Sequence, residues 1–190
     1  MREGVKVPDV TFKYRVRTDG KPITYVDTTN GSENPFEFKD VTTKEIFAGK
    51  TIVLFSLPGA FTPTCSTYQV PGYEEHYKHF KNVHVDEVYV LSVNDTFVMR
   101  KWMIDQNIKN IKFIPDGNGE FTEGMRMLND MSVVGFGKRS KRYAMVVKNG
   151  VIEKMFVEPD STPDDPDPYG VSSPETVFEY LLKEKVAGLT

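Results

Sequence analysis

The chain has 190 residues, 39% hydrophobic and 27% charged, which suits one domain spanning 1–190 with a real apolar core. A formal net charge of −3 is too mild to argue for a nucleic-acid or membrane partner, the N-terminal "MREGVKVPDVTFKYRV" lacks the apolar stretch of a signal peptide, and no window approaches the ~18 apolar residues of a membrane-spanning helix. A single cysteine forms no internal disulfide and no cysteine-rich zinc site, so the expected setting is a reducing compartment, most simply the cytoplasm.

Val10–Arg17 alternates in the manner of a strand; "TDGK" follows as a turn, and "ITYVD" (Ile23–Asp27) is expected to pair back, giving an N-terminal β-hairpin. Thr28–Phe36 has loop chemistry. "TTKEIFAGK" predicts a short helix with a threonine cap and Gly49 at the left-handed C-terminal position. Lys50–Leu57 is a nearly continuous apolar run, the pattern of a strand buried on both faces. Ser66–Phe80 has helical apolar spacing, with Pro71 and Gly72 expected to kink or split the helix. Asp86–Val93 is a second buried strand.

"DTFVMRKWMIDQN" predicts a helix opened by Asn94 or Asp95. "IKFIPD" then reads as a short strand and "GEFTEGMRML" as a short helix. "RYAMVVKNGVIEKMFVE" places the hairpin signal Asn149-Gly150 between two strands. The Pro- and Asp-rich stretch Glu158–Pro174 is expected to be an inserted surface loop. Ser173 then caps a last helix, with Pro174 at its first position and Val177, Tyr180 and Leu181 on its apolar side. This order predicts an α/β fold with a mixed central sheet flanked by helices, the element order of a thioredoxin-like arrangement.

The only cysteine sits in "SLPGAFTPTCS", where a buried strand ends and a helix begins. Helix-start amides carry partial positive charge and favour a thiolate there. Thr62 is close enough to offer a hydroxyl, Pro58 fixes the backbone entering the turn and shields the sulfur, and Gly59 allows close backbone approach. A lone cysteine is commonly buried and inert, but this position argues for chemistry. The segment "GFGKRSKRYAMVV" supplies basic residues just ahead of a strand. Arg142 could aim a guanidinium at the sulfur, although the cluster by itself reads more readily as a solvated basic turn.

"PGAFTPTC" resembles the peroxidatic signature of the peroxiredoxins, Pro-x-x-x-Thr-x-x-Cys, met by Pro58, Thr62 and Cys65, and "PGAFTP" is similar to their type II, or five-type, subfamily. "SVNDTFVM", "FIPDGNGEFT", "VGFGKRS", "RYAMVVKNGVIEKMFVEP" and "VSSPETVFEYL" resemble blocks of that subfamily in the same order, over roughly residues 5 to 185. The resemblance implies a thiol peroxidase acting on hydrogen peroxide and alkyl hydroperoxides, with Cys65 as nucleophile and with Thr62 and the family's arginine, here Arg142, at the attacked oxygen. It implies help from the amides of Thr64 and Cys65, and no metal or organic cofactor, since sulfur carries the two electrons. It also implies a homodimer built through loops near the site, including Phe61 and the turn around Phe136. Many peroxiredoxins reset the sulfur with a second cysteine. This chain has none, Glu158–Pro174 included, so the resemblance implies an external thiol: glutathione with glutaredoxin, with thioredoxin as the alternative. Some relatives carry a fused glutaredoxin domain; as this sequence stops at "KEKVAGLT", a separate glutaredoxin, or one removed, is expected. The competing class is a non-catalytic redox-sensing or chaperone-like binding protein of the same fold.

Other patterns are weaker. The glycines of "DGNGEFTEG" and "GFGKRS" match no phosphate-loop motif. His76, His79 and His84 lie downstream of Cys65, but the expectation is solvated side chains rather than a hydrolase base or a zinc site. Trp102 and its apolar neighbours are expected in the core or on a dimer-facing patch.

Overall fold

Strand β1 (Thr11–Arg17) pairs antiparallel with β2 (Phe36–Thr42), Thr11 opposite Thr42 and Arg17 opposite Phe36, in a computed structural model that describes residues 2–21 and 35–188. The N-terminal strand pair is therefore present with β2 as a partner, and the expected return strand at Ile23–Asp27 lies outside the described residues. Thr42 ends β2 and caps α1 (Thr43–Phe47). Its hydroxyl accepts from the Glu45 N–H, and the Glu45 carboxylate accepts from the Thr42 N–H in return. Gly49 leaves the helix at φ +68°, where a glycine is favoured.

Strands β3 (Thr51–Ser56), β4 (Glu87–Ser92) and β5 (Lys112–Pro115) run parallel, joined through α2 (Val70–Asn82) and α3 (Thr96–Asp105). After α4 (Glu120–Gly124), a small ribbon of β6 (Leu128–Asp130) and β7 (Lys138–Ser140) leads into the hairpin of β8 (Tyr143–Lys148) and β9 (Val151–Val157), and α5 (Pro174–Ala187) follows. The five-stranded sheet has the order β5-β4-β3-β8-β9, with β8 antiparallel to β3 and β9 antiparallel to β8. It is the mixed central sheet of a thioredoxin-like α/β fold.

Side chains of a strand alternate between the two faces of its sheet. In β3, Val53 and Phe55 join a core with Tyr73, Phe80, Trp102 and Leu181, while Ile52 and Leu54 join a second core with Phe47, Phe121 and Met145. The apolar run reads as continuous because helices cover both faces. Cys65 belongs to the first core, as does Trp102, which is fully buried.

Local caps decide several boundaries. Asp95 opens α3, its carboxylate accepting from the Phe97 and Val98 N–H groups. Ser173 caps α5, with Pro174 in the first turn. The helix expected over Gly119–Leu128 is shorter: Arg126 at φ +58° turns the chain out after α4, and Leu128 already belongs to β6.

Candidate active site

The chain leaves β3 at Ser56, crosses a loop and re-enters helix at Pro63. The Thr62 carbonyl accepts from the Ser66 N–H at 3.0 Å, so Pro63 fills the first helical position, where a missing N–H costs nothing. Cys65 therefore lies in the first turn, where amides have no carbonyl of their own helix to bond. Residues Cys65–Gln69 form a π turn closed by the Val70 N–H donating to the Cys65 carbonyl, and α2 continues from it. The expected kink or split at Pro71 and Gly72 is thus a widened turn just upstream. Proline has no N–H and its ring crowds the carbonyl four residues back; the wider turn accommodates both without breaking the helix. It also brings Cys65 and Gln69 into the interior together, both fully buried.

Ser56 pairs with Tyr143, so the residue before Tyr143 overruns the end of β3 and meets the loop that carries the cysteine. That residue is Arg142, only 5% exposed. Its Nη1 donates to the Cys65 sulfur at 3.5 Å and also to Gln69 Oε1. Its Nη2 forms an ion pair with Asp167, and the guanidinium carbon lies 5.8 Å from the Tyr169 ring centre. Burial works against the guanidinium charge, but Cys65 and Asp167 together outweigh it and hold the Arg142 pKa above its ordinary value. The cation stays charged beside the sulfur.

The loop before the cysteine is held at several points. Thr62 Oγ1 donates to the Gly59 carbonyl at 2.7 Å, leaving lone pairs on that oxygen as acceptors. Arg139 Nη1 donates to the Pro58 carbonyl at 3.4 Å, and a Cβ on residue 59 would lie 2.7 Å from that same nitrogen, which is why glycine fits there. The Ala60 N–H donates to Asn94 Oδ1 at 3.0 Å, and the Ser92 hydroxyl donates to the same oxygen. Phe61 takes φ +65°, uncommon for a side chain of its size, and turns outward with its ring 6.4 Å from that of Trp102. Thr64 is already helical in backbone.

The structure thus gathers Cys65 and Arg142 in one buried contact, beside a loop carrying Pro58, Gly59 and Thr62. Phe61 stands at the rim. The histidines go elsewhere: His76 Nδ1 contacts the Gly72 carbonyl, and its ring meets that of His79 at 5.3 Å. Among the described residues no group of three or more His, Cys, Asp or Glu side chains is placed to hold a metal ion, and no helix is long and apolar enough to cross a membrane. Three contributors escaped the sequence reading: Gln69, Asp167 and Tyr169. Gln69 was discoverable, four residues after Cys65 on the same helix. Asp167 and Tyr169 lay inside the stretch expected to be a surface loop, and that loop folds its end onto Arg142.

A thioredoxin-like α/β fold with one buried cysteine hydrogen-bonded to a buried arginine is an arrangement suited to thiol redox chemistry. A family model described as Redoxin matches residues 2–171. The hybrid peroxiredoxin hyPrx5 of Haemophilus influenzae is 51% identical over 182 residues, covering 96% of this chain and 67% of that protein. The crystal structure of the Plasmodium falciparum antioxidant protein, a 1-Cys peroxiredoxin, matches with a TM-score of 0.82 and 39% identity, over 95% of this chain and 99% of that one. Reduced Prx3 from Vibrio vulnificus in complex with hydrogen peroxide matches with a TM-score of 0.79 and 33% identity, over 97% of this chain and 98% of that one. The chain belongs to the peroxiredoxins, as a member similar to the type II, or five-type, subfamily, which makes it a thiol peroxidase.

Proposed function

We propose that Cys65 is the peroxidatic nucleophile and that hydrogen peroxide and alkyl hydroperoxides are its substrates. The observation that carries this is the 3.5 Å contact between the lone cysteine sulfur and the Arg142 guanidinium. The thiolate attacks one peroxide oxygen; an S–O bond forms as the O–O bond breaks. The sulfur loses two electrons and becomes a sulfenic acid, and the departing oxygen takes a proton from the surrounding water and leaves as water or an alcohol. Arg142 stabilises the thiolate before attack and the charge developing on the departing oxygen during it. Thr62, its own proton given to Gly59, accepts a hydrogen bond from the peroxide O–H and orients it. The first-turn amides of Thr64 and Cys65 add positive potential, Gly59 lets the loop close down, Pro58 screens the sulfur from water, and Phe61 borders the entrance. That a related protein is described in complex with hydrogen peroxide supports this substrate.

The sulfenic acid must return to a thiol. With no second cysteine in the sequence, we infer an external thiol, glutathione acting with glutaredoxin, in the cytoplasm. Turnover is expected with glutathione and glutaredoxin, through a Cys65–glutathione mixed disulfide visible as one added glutathionyl group in the intact mass. Efficient turnover with thioredoxin, and none with glutathione and glutaredoxin, overturns that choice and leaves the peroxidase standing.

We further propose a homodimer through the rim of the site. Phe61 in the site's loop is exposed, as are Val133, Val134 and Phe136 in the turn between β6 and β7, whose Arg139 bonds both the Phe136 and the Pro58 carbonyls; exposed apolar side chains of this size have reason to be covered. Sedimentation of the reduced protein is expected to give a species of twice the chain mass; a monomer alone at micromolar concentration contradicts it.

A further inference from the structure

We propose that Asp167 is a positioning residue for the peroxidase reaction: it holds the outer edge of the Arg142 guanidinium so that the inner edge faces the Cys65 sulfur. This rests on the reading of Cys65 and Arg142 given above.

A buried guanidinium has many donors and needs either hydrogen-bond partners or a counter-ion. Arg142 has them sorted by side. On the inner side Nη1 meets the sulfur and the neutral amide oxygen of Gln69. On the outer side Nη2 meets the carboxylate of Asp167, whose side chain is 47% exposed. The sorting matters electrically. A carboxylate on the inner side would repel the thiolate and compete with it for the cation; an amide does neither. A half-exposed carboxylate on the outer side is screened by water. It also remains as counter-ion after the sulfur has become a neutral sulfenic acid, so the buried cation keeps an anionic partner throughout the cycle.

The chain is built to hold Asp167 in place. Pro166 and Pro168 flank it, fixing their own φ angles and restricting the residues before them. The loop is tied off at its base by Glu158, whose Oε1 accepts from the Gly170 N–H at 2.7 Å, the Ser172 N–H at 2.8 Å and the Ser172 hydroxyl at 2.8 Å. The Arg142 carbonyl accepts from the Glu158 N–H at 3.1 Å, which joins the base of the loop to the arginine's own backbone. Tyr169, two residues beyond Asp167, sets its ring against the guanidinium.

The test is the second-order rate of Cys65 oxidation by hydrogen peroxide in four variants. Asp167→Ala is expected to slow it by about 10- to 100-fold, the scale of a misplaced catalytic group. Asp167→Asn keeps an acceptor oxygen for Nη2 and is expected to recover the rate to within about threefold, because it preserves the geometry. In an Arg142→Ala background, Asp167→Ala is expected to have no further effect, since a residue that acts through another loses its role with it. A merely structural role predicts the opposite on both counts: alanine and asparagine equally slow, and the same loss with or without Arg142. Either result, or an Asp167→Ala protein oxidised at the wild-type rate, overturns the inference while leaving the function of Cys65 intact. A wild-type protein oxidised no faster than free cysteine overturns both.

Discussion

Cys65→Ser is expected to abolish peroxide turnover outright. The sequence holds no other cysteine, and a serine hydroxyl cannot accept an oxygen atom from a peroxide as sulfur does. The substitution is close to isosteric, so the fold is expected to survive and circular dichroism of the variant to match the wild type. Consumption of hydrogen peroxide, followed with any of the candidate reductants in excess, is the measurement. Residual turnover above the uncatalysed rate would place the chemistry at a different residue.

Arg142→Ala is expected to slow oxidation of Cys65 by about 10²–10³-fold, the scale of losing one preorganised charge-stabilising donor. In the proposed mechanism the guanidinium contributes twice, to the thiolate before attack and to the departing oxygen during it. Its removal also strips Gln69 and Asp167 of their shared partner. Thr62→Val is expected to act on a similar scale by a different route, since it frees the Gly59 carbonyl and removes the oxygen proposed to orient the peroxide. Stopped-flow oxidation with peroxide in excess reads both. An unchanged rate in Arg142→Ala would remove the arginine from the mechanism, whatever its distance from the sulfur.

The parts of this fold that the sequence discloses are those whose causes are local. Ser173 and Asp95 announce helix starts because a capping side chain bonds to amides within three residues of itself. The run Lys50–Leu57 announces a doubly covered strand because both of its faces must be apolar. Strand β2 has the opposite character: Glu37, Phe38, Lys39 and Asp40 are all exposed, so little alternation survives to be read. The π turn was also hidden. Pro71 signals trouble for the helix, but how the helix absorbs it depends on Cys65 and Gln69 packing together beneath Arg142. The site divides in the same way. The loop from Pro58 to Cys65 is a contiguous motif and could be read directly. The residues alone did not separate Arg142 from Lys138, Arg139 and Lys141; the family resemblance did, and the register of β8 against β3 supplies the physical reason. Asp167 reaches Arg142 from a loop that Glu158 ties off, through contacts between residues that no local pattern links.

The central claim is that the Cys65 thiolate, poised by Arg142, reacts with peroxide far faster than an ordinary cysteine. The direct test mixes fully reduced protein with one equivalent of hydrogen peroxide at micromolar concentration, quenches within seconds, and measures intact mass and the site of modification. The account predicts near-complete gain of one oxygen atom on Cys65 in that time. Oxidation at the slow pace of free cysteine, or oxygen found on methionine with Cys65 still reduced, would contradict it.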